Sequence, residues 1–505
     1  MTTGIRRRAV LAGLLATALA RGALAFEAPL PRPRPGGARG VPAVVTLPQA
    51  PSGVSSWLVV DLDRGTILDA HEARVPQAPA SVAKLPTAAY ALERLGPGHR
   101  FETRLAMRGR VVGDRIEGDL VLAGGWDPEL DTDALLPLVM ALQRAGVRRI
   151  TGRFLVDPGH APEIAAIDPS QPEDAAYNPA ISGLNLNFNR VRVEWPDKAG
   201  PSDIRVSARA LRLDPGVKGV RVVASDAPDL NVFAYSTQGD SEVWQIAGRE
   251  LKRRGGRWLP VRQPAAYAGE VFAALCATQG IALPEAVPGA SGPQDVILAT
   301  QRSAPLVGIL EGMLHHSTNL TAEVVGQASS GELGSPMGSA AAMNRWAGAF
   351  AGFPVDDPGF AFANHSGLTT RSRVSAERMV AFLRAATTRP VPEGAERTDP
   401  RLPGGVARLL RPYNVATKGD GLDHDKLLIV AKTGTMDFVR GLAGYVITPG
   451  GRRLAFAVFS NDLDRRSGGV SHIDRAWMGR ARGFEKVLLQ NWIAMADGGK
   501  PGSRG

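Results

Sequence analysis

The chain has 505 residues and a formal net charge of +10, and 44% of its residues are hydrophobic. This length allows two or three domains around a substantial core. The single cysteine, Cys276, excludes an internal disulfide, and the adjacent pair His315–His316 has no third ligand at metal spacing. We therefore expect no bound metal and no other cofactor.

The first 25 residues have the pattern of an export signal. A basic start precedes an apolar stretch from Ala9 to Ala20, and Ala23-Leu24-Ala25 forms a small-x-small cleavage site. The pair Arg7-Arg8 resembles a twin-arginine signal, with Sec export as the alternative. Residues 26–42 are rich in proline, glycine and arginine, which is typical of a linker. No later stretch approaches the length of an uninterrupted apolar span. We predict a periplasmic protein with at most peripheral membrane contact.

The charge of the chain favours an acidic partner. Removal of the signal with its four arginines lowers the formal charge from +10 to about +6. No segment interleaves aromatic with basic residues as single-strand nucleic-acid binders do. We therefore expect an envelope polymer that carries carboxylates rather than nucleic acid.

The hydrophobic pattern predicts a series of elements in the first half of the chain. Residues 55–71 form two strands around an Asp-Arg-Gly turn. A helix that contains Ser81 follows and ends at the Gly-Pro-Gly of 96–98. From about residue 101 short strands dominate, and helical spacing appears in 131–147 and again in 265–281.

The second half of the chain is richer in helices. Residues 303–325 predict a helix that breaks near His315 to Ser317, and a buried strand at 427–436 precedes a hairpin at 442–462 and a last amphipathic helix. These patterns predict an α+β fold, with helices on both faces of an antiparallel sheet. We predict one discontinuous catalytic domain, with other domains inserted into it: catalytic residues 43–100 and 290–497, inserted residues 101–289.

Ser81 and Lys84 open the predicted helix, and two interpretations of the pair are open. Ser81 suits an N-cap, with Pro79 before an apolar run. Alternatively, residues i and i+3 share one face of a helix, so the lysine can take the proton of the serine. A lysine acts in this way only when burial or a nearby positive charge lowers its pKa.

Two later motifs supply what the chemical interpretation needs. Ser317-Thr318-Asn319 lies at the helix break, and Lys432-Thr433-Gly434-Thr435 ends an apolar strand. Separately, they are compatible with a helix cap at Ser317 and with a strand end that carries a turn glycine. Together with Ser-x-x-Lys they occur once each and in this order, which is the motif set of a class of serine acyl-transfer enzymes.

The motifs predict which residues carry the acylation chemistry. Lys84, beside the like charge of Lys432, acts as general base on the nucleophile Ser81. Ser317 relays a proton to the leaving amine, and Asn319 holds Lys84 and the substrate amide.

The third motif predicts how a substrate is bound. Thr433 and Thr435 offer hydroxyls to a terminal carboxylate, within the positive field of Lys432. Gly434 lets the substrate backbone lie along the strand, as in strand addition. The backbone N–H groups of Ser81 and Thr435 form the oxyanion hole.

With these motifs the sequence resembles the D-alanyl-D-alanine carboxypeptidase/endopeptidases of the low-molecular-mass, class C penicillin-binding proteins. The resemblance spans roughly residues 45–495 and includes the segments 122–130, 177–193, 364–375 and 439–446. Ser317 follows Ser81 by 236 residues, a gap that holds two inserted domains in this family and is far shorter in β-lactamases. The resemblance implies a penicillin-binding transpeptidase-like domain with a large, strand-rich, two-domain insertion between the first and second motifs.

The resemblance also implies an activity. It implies a serine-type D-Ala-D-Ala carboxypeptidase that acts on peptidoglycan stem peptides through an acyl-enzyme on Ser81. It leaves open whether the enzyme also cuts D-Ala–diaminopimelate cross-links as an endopeptidase. It implies β-lactams such as penicillin as acylating inhibitors.

Two segments depart from the family pattern. Residues 364–370, Asn-His-Ser-Gly-Leu-Thr-Thr, stand where the family has Asp-Gly-Ser-Gly-Leu-Ser-Arg, and Arg371 comes one place late. Trp126 alters the family's glycine-Asp-Pro segment, in which we expect Asp127 to be a turn residue rather than a ligand. Both segments are expected to shape the pocket for the substrate side chain, so the side-chain preference stays open.

Two other functions compete with this one. A class A β-lactamase needs a deacylating glutamate in Glu-x-x-x-Asn, and no such spacing lies between Ser317 and Lys432. A peptidoglycan-binding or scaffolding protein with an inactive site is the other alternative. The presence of every catalytic residue argues against it.

Overall fold

The computed structural model describes residues 44–498 apart from 228, 240, 397–398, 418–420 and 467–472, and all structural statements concern these residues. Among them, no helix combines the length and the apolar character needed to cross a bilayer. The predicted export signal (1–25) and linker (26–42) lie outside the described residues.

The strands of the described residues are, in chain order, β1 (Val54–Asp61), β2 (Ile67–His71), β3 (Glu102–Val112), β4 (Arg115–Ala123), β5 (Arg149–Ile150), β6 (Phe154–Asp157), β7 (Arg190–Trp195), β8 (Arg205–Ser207), β9 (Val220–Ser225), β10 (Phe233–Gln238), β11 (Ser241–Ala247), β12 (Gly255–Pro260), β13 (Ala286–Pro288), β14 (Val296–Arg302), β15 (Phe360–Ala361), β16 (Arg373–Val374), β17 (Leu428–Met436), β18 (Val439–Ile447) and β19 (Arg453–Asn461).

The α-helices are α1 (Lys84–Leu95), α2 (Leu136–Arg144), α3 (Pro264–Thr278), α4 (Leu306–His316), α5 (Asn319–Ser330), α6 (Pro336–Ala351), α7 (Ala376–Ala386), α8 (Leu463–Arg466) and α9 (Arg475–Ala496). Short 3-10 helices are η1 (Ala80–Ala83), η2 (Asp133–Leu135), η3 (Asn187–Asn189), η4 (Pro201–Asp203), η5 (Gly248–Lys252) and η6 (Gly405–Leu409).

The central sheet is antiparallel throughout, with the strand order β17-β18-β19-β1-β2. Side chains alternate along β1, so Leu58 and Val60 pack on one face with α1 and with α4 to α7. Trp57 and Val59 pack on the other face with α9. The predicted α+β fold, an antiparallel sheet with helices on both faces, is confirmed.

The chain between α1 and α4 forms sheets of its own. A mixed sheet has the order β13-β6-β4-β3-β14 with β5 beside β4, and two three-stranded sheets have the orders β10-β11-β9 and β12-β7-β8. One apolar cluster, to which α2 and α3 contribute, joins them. Because β14 pairs with β3, residues 296–302 extend the inserted sheet past the predicted boundary at 290, and the predicted domain bounds stay a prediction. The division of the insertion into two domains stays a prediction.

Candidate active site

Ser81 lies in η1, directly before α1, and its side chain is partly buried. Pro79 occupies the N-cap position of η1, and no side chain caps η1 or α1. Instead, the Oγ atom of Ser81 accepts a hydrogen bond from Nζ of Lys84 at 3.0 Å. The helix-cap interpretation of Ser81 is therefore wrong.

Lys84 is fully buried as the first residue of α1. Besides Ser81, its Nζ atom donates to Oδ1 of Asn319 at 2.7 Å and to the carbonyl of Ser366 at 2.8 Å. Burial, reinforced by the charge of Lys432, lowers the pKa of Lys84 well below its ordinary value, against the opposing charge of Glu323. A neutral amine donates to Asn319 and Ser366 and turns its lone pair to the serine hydroxyl, which is the geometry of a general base.

The predicted helix break in the second motif is present. The helix α4 ends at His316, and Ser317 adopts a left-handed conformation with φ of 60°. The N-cap of α5 is Thr318, so the alternative in which Ser317 caps the next helix is wrong. The Oγ atom of Ser317 accepts a hydrogen bond from Nζ of Lys432 at 3.0 Å. The break therefore brings Ser317 to the lysine of the third motif.

Asn319 links the buried lysine to the inserted part of the chain. Its Oδ1 atom accepts from Lys84, and its Nδ2 atom donates to the carbonyl of Tyr177 at 3.0 Å. Tyr177 lies between α2 and β7, within the insertion. The insertion therefore reaches the rim of the site.

Lys432 of β17 is 2% exposed. Its Nζ atom donates to Oγ of Ser317 and to the carbonyl of Thr433, at 3.0 and 2.7 Å. Burial lowers the pKa of Lys432 to about 7, and the charges of Arg411 and Arg440 act in the same direction. The predicted second cation is therefore present, desolvated, and close enough to act on Lys84.

Gly434 makes a contact that differs from the predicted one. A Cβ atom at this position would overlap the carbonyl oxygen of Pro79 and lie 3.0 Å from the backbone nitrogen of Ser81. The absence of a side chain therefore lets β17 approach η1, and this contact sets the position of Ser81 beside the strand. A role of the Gly434 backbone in substrate binding stays a prediction.

The outer edge of β17 is covered only along its first half within the described chain. The N–H of Ala431 donates to the carbonyl of Arg411, and the carbonyl of Ile429 accepts from the N–H of Tyr413. Backbone groups alternate in direction along an antiparallel strand. The N–H and C=O groups of Thr433 and Thr435 therefore also point outward, and the Thr433 carbonyl accepts the hydrogen bond from Lys432.

Ser366, in the first segment that departs from the family pattern, holds Lys84 through its backbone. Glu323 on α5 accepts hydrogen bonds from the N–H groups of Ser366, at 2.8 Å, and His365, at 3.4 Å. The carbonyl of Ser366 in turn accepts from Lys84. A role of this segment in a substrate side-chain pocket stays a prediction.

His365 is fully buried among three helices. Its Nε2 atom lies 2.7 Å from Oγ of Ser339, and its ring occupies the space that a Cβ atom of Gly326 would need. Burial lowers the pKa of His365 to about 3, so the ring is neutral at physiological pH. His365 therefore has a packing role behind Lys84.

The second departure from the family pattern, at Trp126, also has a structural role. Trp126 is buried with φ of 61°, and its N–H donates to the carbonyl of Gly183 at 2.8 Å. Asp127 accepts from the N–H of Glu129 at 2.9 Å, as the predicted turn residue does. Neither residue is part of the motif cluster around Ser81.

The residues considered for metals do not form a site. Cys276 is buried in α3, and His315 and His316 form the last turn of α4. Among the described residues, no group of three or more histidine, cysteine, aspartate or glutamate side chains is arranged to hold a metal ion.

Sequence reasoning missed the roles of four residues at or beside the motif cluster: Ser366, whose carbonyl accepts from Lys84, and Glu323, Arg440 and Tyr177. Glu323 lies four residues after Asn319 on α5, so helical spacing places both on one face. Arg440 lies directly opposite Thr435 across a tight hairpin, and its Nη1 atom donates to the hydroxyl of Thr435 at 3.0 Å. Only Tyr177 has no local signal, because its contact with Asn319 joins residues that are far apart in the chain.

The fold and the meeting of the three motifs define a serine peptidase of the Ser-x-x-Lys, Ser-x-Asn, Lys-Thr-Gly class. Residues 41–476 match the D-Ala-D-Ala carboxypeptidase 3 (S13) family, and the chain belongs to this family. The D-alanyl-D-alanine carboxypeptidase of Actinomadura sp. (strain R39) is 28% identical over 449 residues, which cover 83% of this chain and 80% of that protein.

Relatives from Haemophilus influenzae support the same assignment. Its D-alanyl-D-alanine carboxypeptidase DacB is 24% identical over 412 residues, which cover 76% of this chain and 80% of that protein. The crystal structure of its penicillin-binding protein 4 matches with a TM-score of 0.64 at 20% identity, over 88% of this chain and 97% of that one. The fold of the penicillin-binding proteins is therefore shared.

Proposed function

We propose that this protein is a serine D-Ala-D-Ala carboxypeptidase that acts on peptidoglycan stem peptides through an acyl-enzyme on Ser81. One observation carries the proposal: the buried Nζ of Lys84 contacts Oγ of Ser81 at 3.0 Å while Asn319 and Ser366 hold it from the other side. A buried lysine in this arrangement has no structural need for a serine partner. It suits proton transfer from the hydroxyl.

The acylation step follows from these contacts. Lys84 takes the proton of the Ser81 hydroxyl, and Oγ attacks the carbonyl carbon of the penultimate D-Ala. The backbone N–H groups of Ser81 and Thr435 stabilise the negative charge that develops on the carbonyl oxygen. The proton taken by Lys84 is relayed through Ser317 to the leaving nitrogen, the C–N bond breaks, D-Ala departs, and Lys84 is neutral again. Water then hydrolyses the ester and returns Ser81.

Substrate binding uses the open part of the β17 edge. The outward carbonyl of Thr435 pairs with an N–H group of an extended peptide, and the hydroxyls of Thr433 and Thr435 bind the terminal carboxylate. Protonated Lys432 supplies positive charge close to this carboxylate. The net positive charge of the chain favours the approach of an anionic polymer.

We extend the proposal to D,D-endopeptidase cleavage of cross-links and to acylation by penicillin. In a cross-link, the scissile bond also joins D-Ala to an amine next to a carboxylate, so the same contacts apply. The penicillin-binding protein 4 of Haemophilus influenzae has been crystallised with a β-lactam, at a TM-score of 0.61 and 19% identity to this chain. A β-lactam carries its carboxylate close to the reactive carbonyl, as the peptide does.

We also propose that the protein is exported to the periplasm through its twin-arginine-like or Sec signal, with at most peripheral membrane contact. Peptidoglycan lies outside the cytoplasmic membrane, so the proposed substrate requires export. N-terminal sequencing of the protein from a periplasmic extract tests this: a start after Ala25 supports export, and an intact Met1 in the cytoplasmic fraction contradicts it.

The first experiment is intact-mass measurement after brief incubation with benzylpenicillin, for wild type and Ser81→Ala. We expect one penicilloyl adduct on the wild type and none on the variant. Release of D-Ala from a synthetic peptide that ends in D-Ala-D-Ala is measured alongside, with an L-Ala-L-Ala peptide as control. An adduct retained by Ser81→Ala would contradict the assignment of the nucleophile.

The same samples separate the competing functions. Rapid consumption of penicillin without D-Ala release indicates a β-lactamase. Wild-type protein that binds purified sacculi but forms no adduct and releases no D-Ala indicates a scaffolding protein. Adduct formation together with D-Ala release supports the carboxypeptidase.

A further inference from the structure

The two threonines of the third motif have different neighbours on β18. Thr433 is paired with Leu442, whereas Thr435 is paired with Arg440. The Nη1 atom of Arg440 donates a hydrogen bond to the Thr435 hydroxyl at 3.0 Å. Both threonines are partly exposed, so a ligand at the β17 edge can reach them. The pair is therefore chemically asymmetric although the residue types are identical.

Arg440 is held in place by the C-terminal helix. Its side chain is 4% exposed, and that of Glu485 on α9 is 1% exposed. The Nε atom of Arg440 lies 2.9 Å from both carboxylate oxygens of Glu485, and Nη2 lies 2.8 Å from one of them. Such a desolvated, multiply bonded ion pair fixes the guanidinium firmly. Glu485, together with a hydrogen bond between Arg440 and Tyr413, therefore determines where Arg440 directs its remaining N–H groups.

The contact constrains the hydroxyl of Thr435. A guanidinium only donates hydrogen bonds, so the Thr435 oxygen must accept the one from Arg440. The single hydroxyl proton of Thr435 is then left for an acceptor on the ligand side. A carboxylate can accept this proton through either oxygen, whereas a carboxamide can accept it only in the one orientation that turns its carbonyl to Thr435 and its NH₂ group to Thr433. The hydroxyl of Thr433, beside apolar Leu442, is under no such constraint.

We propose that Arg440, held by Glu485, is a positioning residue that keeps the Thr435 hydroxyl as a donor and so makes the enzyme select a leaving residue with a free carboxylate over its carboxamide. The inference rests on the proposed carboxypeptidase function, because it concerns the carboxylate next to the scissile bond. It places part of the substrate specificity in the C-terminal helix, far from the three motifs in the sequence.

The test compares two peptides that differ only at the C-terminus: one ends in D-Ala-D-Ala with a free carboxylate, the other in its carboxamide. The ratio of their kcat/KM values is measured at pH 6, where Lys432 is protonated with or without the charge of Arg440. Wild type is compared with the double variant Arg440→Met, Glu485→Met, which removes both charges together and leaves neither unpaired. We expect the ratio to fall about tenfold, the effect of one hydrogen bond, mainly through slower cleavage of the carboxylate peptide.

Three further variants keep the result interpretable. Glu485→Gln retains an acceptor for Arg440 and should keep the wild-type ratio or raise it. Arg378→Met removes the arginine of a less buried ion pair, with Asp357 at 2.8 Å, and should leave the ratio unchanged. Should the double Met variant fail to fold, Thr435→Val removes the same hydroxyl donor, and an unchanged ratio in that variant would contradict the inference.

The outcomes separate the inference from the function on which it rests. A folded double variant with an unchanged ratio overturns the role of Arg440, while wild-type cleavage of the carboxylate peptide keeps the proposed function. Failure of the wild type to cleave either peptide contradicts the carboxypeptidase function itself.

Discussion

Gly434 of the edge strand and Ser81 of η1 touch through their backbones. A Cβ atom at position 434 would lie 3.0 Å from the Ser81 nitrogen and would overlap the Pro79 carbonyl. Both of these neighbours are backbone atoms, so a side chain at this position has to displace η1 from β17. The position of Ser81 beside β17 therefore depends on the absence of a side chain at Gly434.

We predict that Gly434→Ala lowers the rate of acylation by benzylpenicillin about 100-fold, because displacement of a nucleophile by a fraction of an ångström to one ångström costs this much. Stopped-flow or timed mass measurement checks the rate. The matched control is Gly479→Ala in α9, where a Cβ atom meets nothing within 4 Å. This control should acylate normally and gain about 0.5–1 kcal/mol of stability from helix propensity. Equal acylation by both variants would contradict the role of Gly434.

The two buried lysines predict a bell-shaped pH profile of kcat/KM for a peptide with a free carboxylate. Lys84 acts as a base only when neutral, so the rate rises as pH increases through its lowered pKa. Lys432 attracts the carboxylate only when protonated, so the rate falls as pH increases through its pKa of about 7. Measurement of kcat/KM from pH 5 to pH 10 tests both limbs.

Arg411 provides a control for this assignment. Its charge lowers the pKa of Lys432, so Arg411→Gln should move the falling limb to higher pH and leave the rising limb in place. A falling limb that does not respond to Arg411→Gln would assign that limb to another group.

We expect the buried Lys432 to destabilise the folded state. Its pKa is about 7 when folded and about 10.4 when unfolded, so the unfolded chain binds more protons between these values. Stability attributable to this residue therefore rises as pH increases from about 7 to about 10.4. We predict that Lys432→Met raises the free energy of unfolding at pH 6 by on the order of 2–4 kcal/mol.

Urea unfolding at pH 6 and pH 10 checks this prediction. The gain from Lys432→Met should shrink at pH 10, where wild-type Lys432 is neutral in the folded state. The variant should also lose D-Ala release, which separates the functional cost of the lysine from its energetic cost. A variant that is less stable than wild type at pH 6 would contradict the prediction.

We expect Glu323 to raise the pKa of Lys84 without contacting the substrate. Its charge favours the protonated form of Lys84, and its oxygens hold the N–H groups of His365 and Ser366. We predict that Glu323→Gln, which keeps an acceptor oxygen but removes the charge, moves the rising limb of the pH profile to lower pH. Glu323→Ala should instead slow acylation at every pH, because the Ser366 carbonyl loses its support. An unmoved limb in Glu323→Gln would show that the carboxylate carries no charge beside Lys84.

Much of the fold follows from local patterns. The strands around the Asp-Arg-Gly turn, the helix break before Ser317 and the final hairpin all occur where the hydrophobic spacing predicts them. The pairing of β14 with β3, past the predicted boundary at 290, joins segments nearly 200 residues apart, and no local signal indicates such a partner.

By itself, the sequence determined the residue types of the site and their order, because the three motifs are short and each is chemically specific. It also indicated the class of enzyme through the spacing of those motifs. What only the tertiary structure decided is how the motifs act on one another. The burial that lowers the pKa of Lys84 and Lys432, the Ser366 carbonyl that Glu323 holds, and the Arg440 contact with Thr435 all depend on chain segments that meet only after folding. Desolvation and hydrogen bonding depend on distances in space, which the spacing of residues along the chain does not specify.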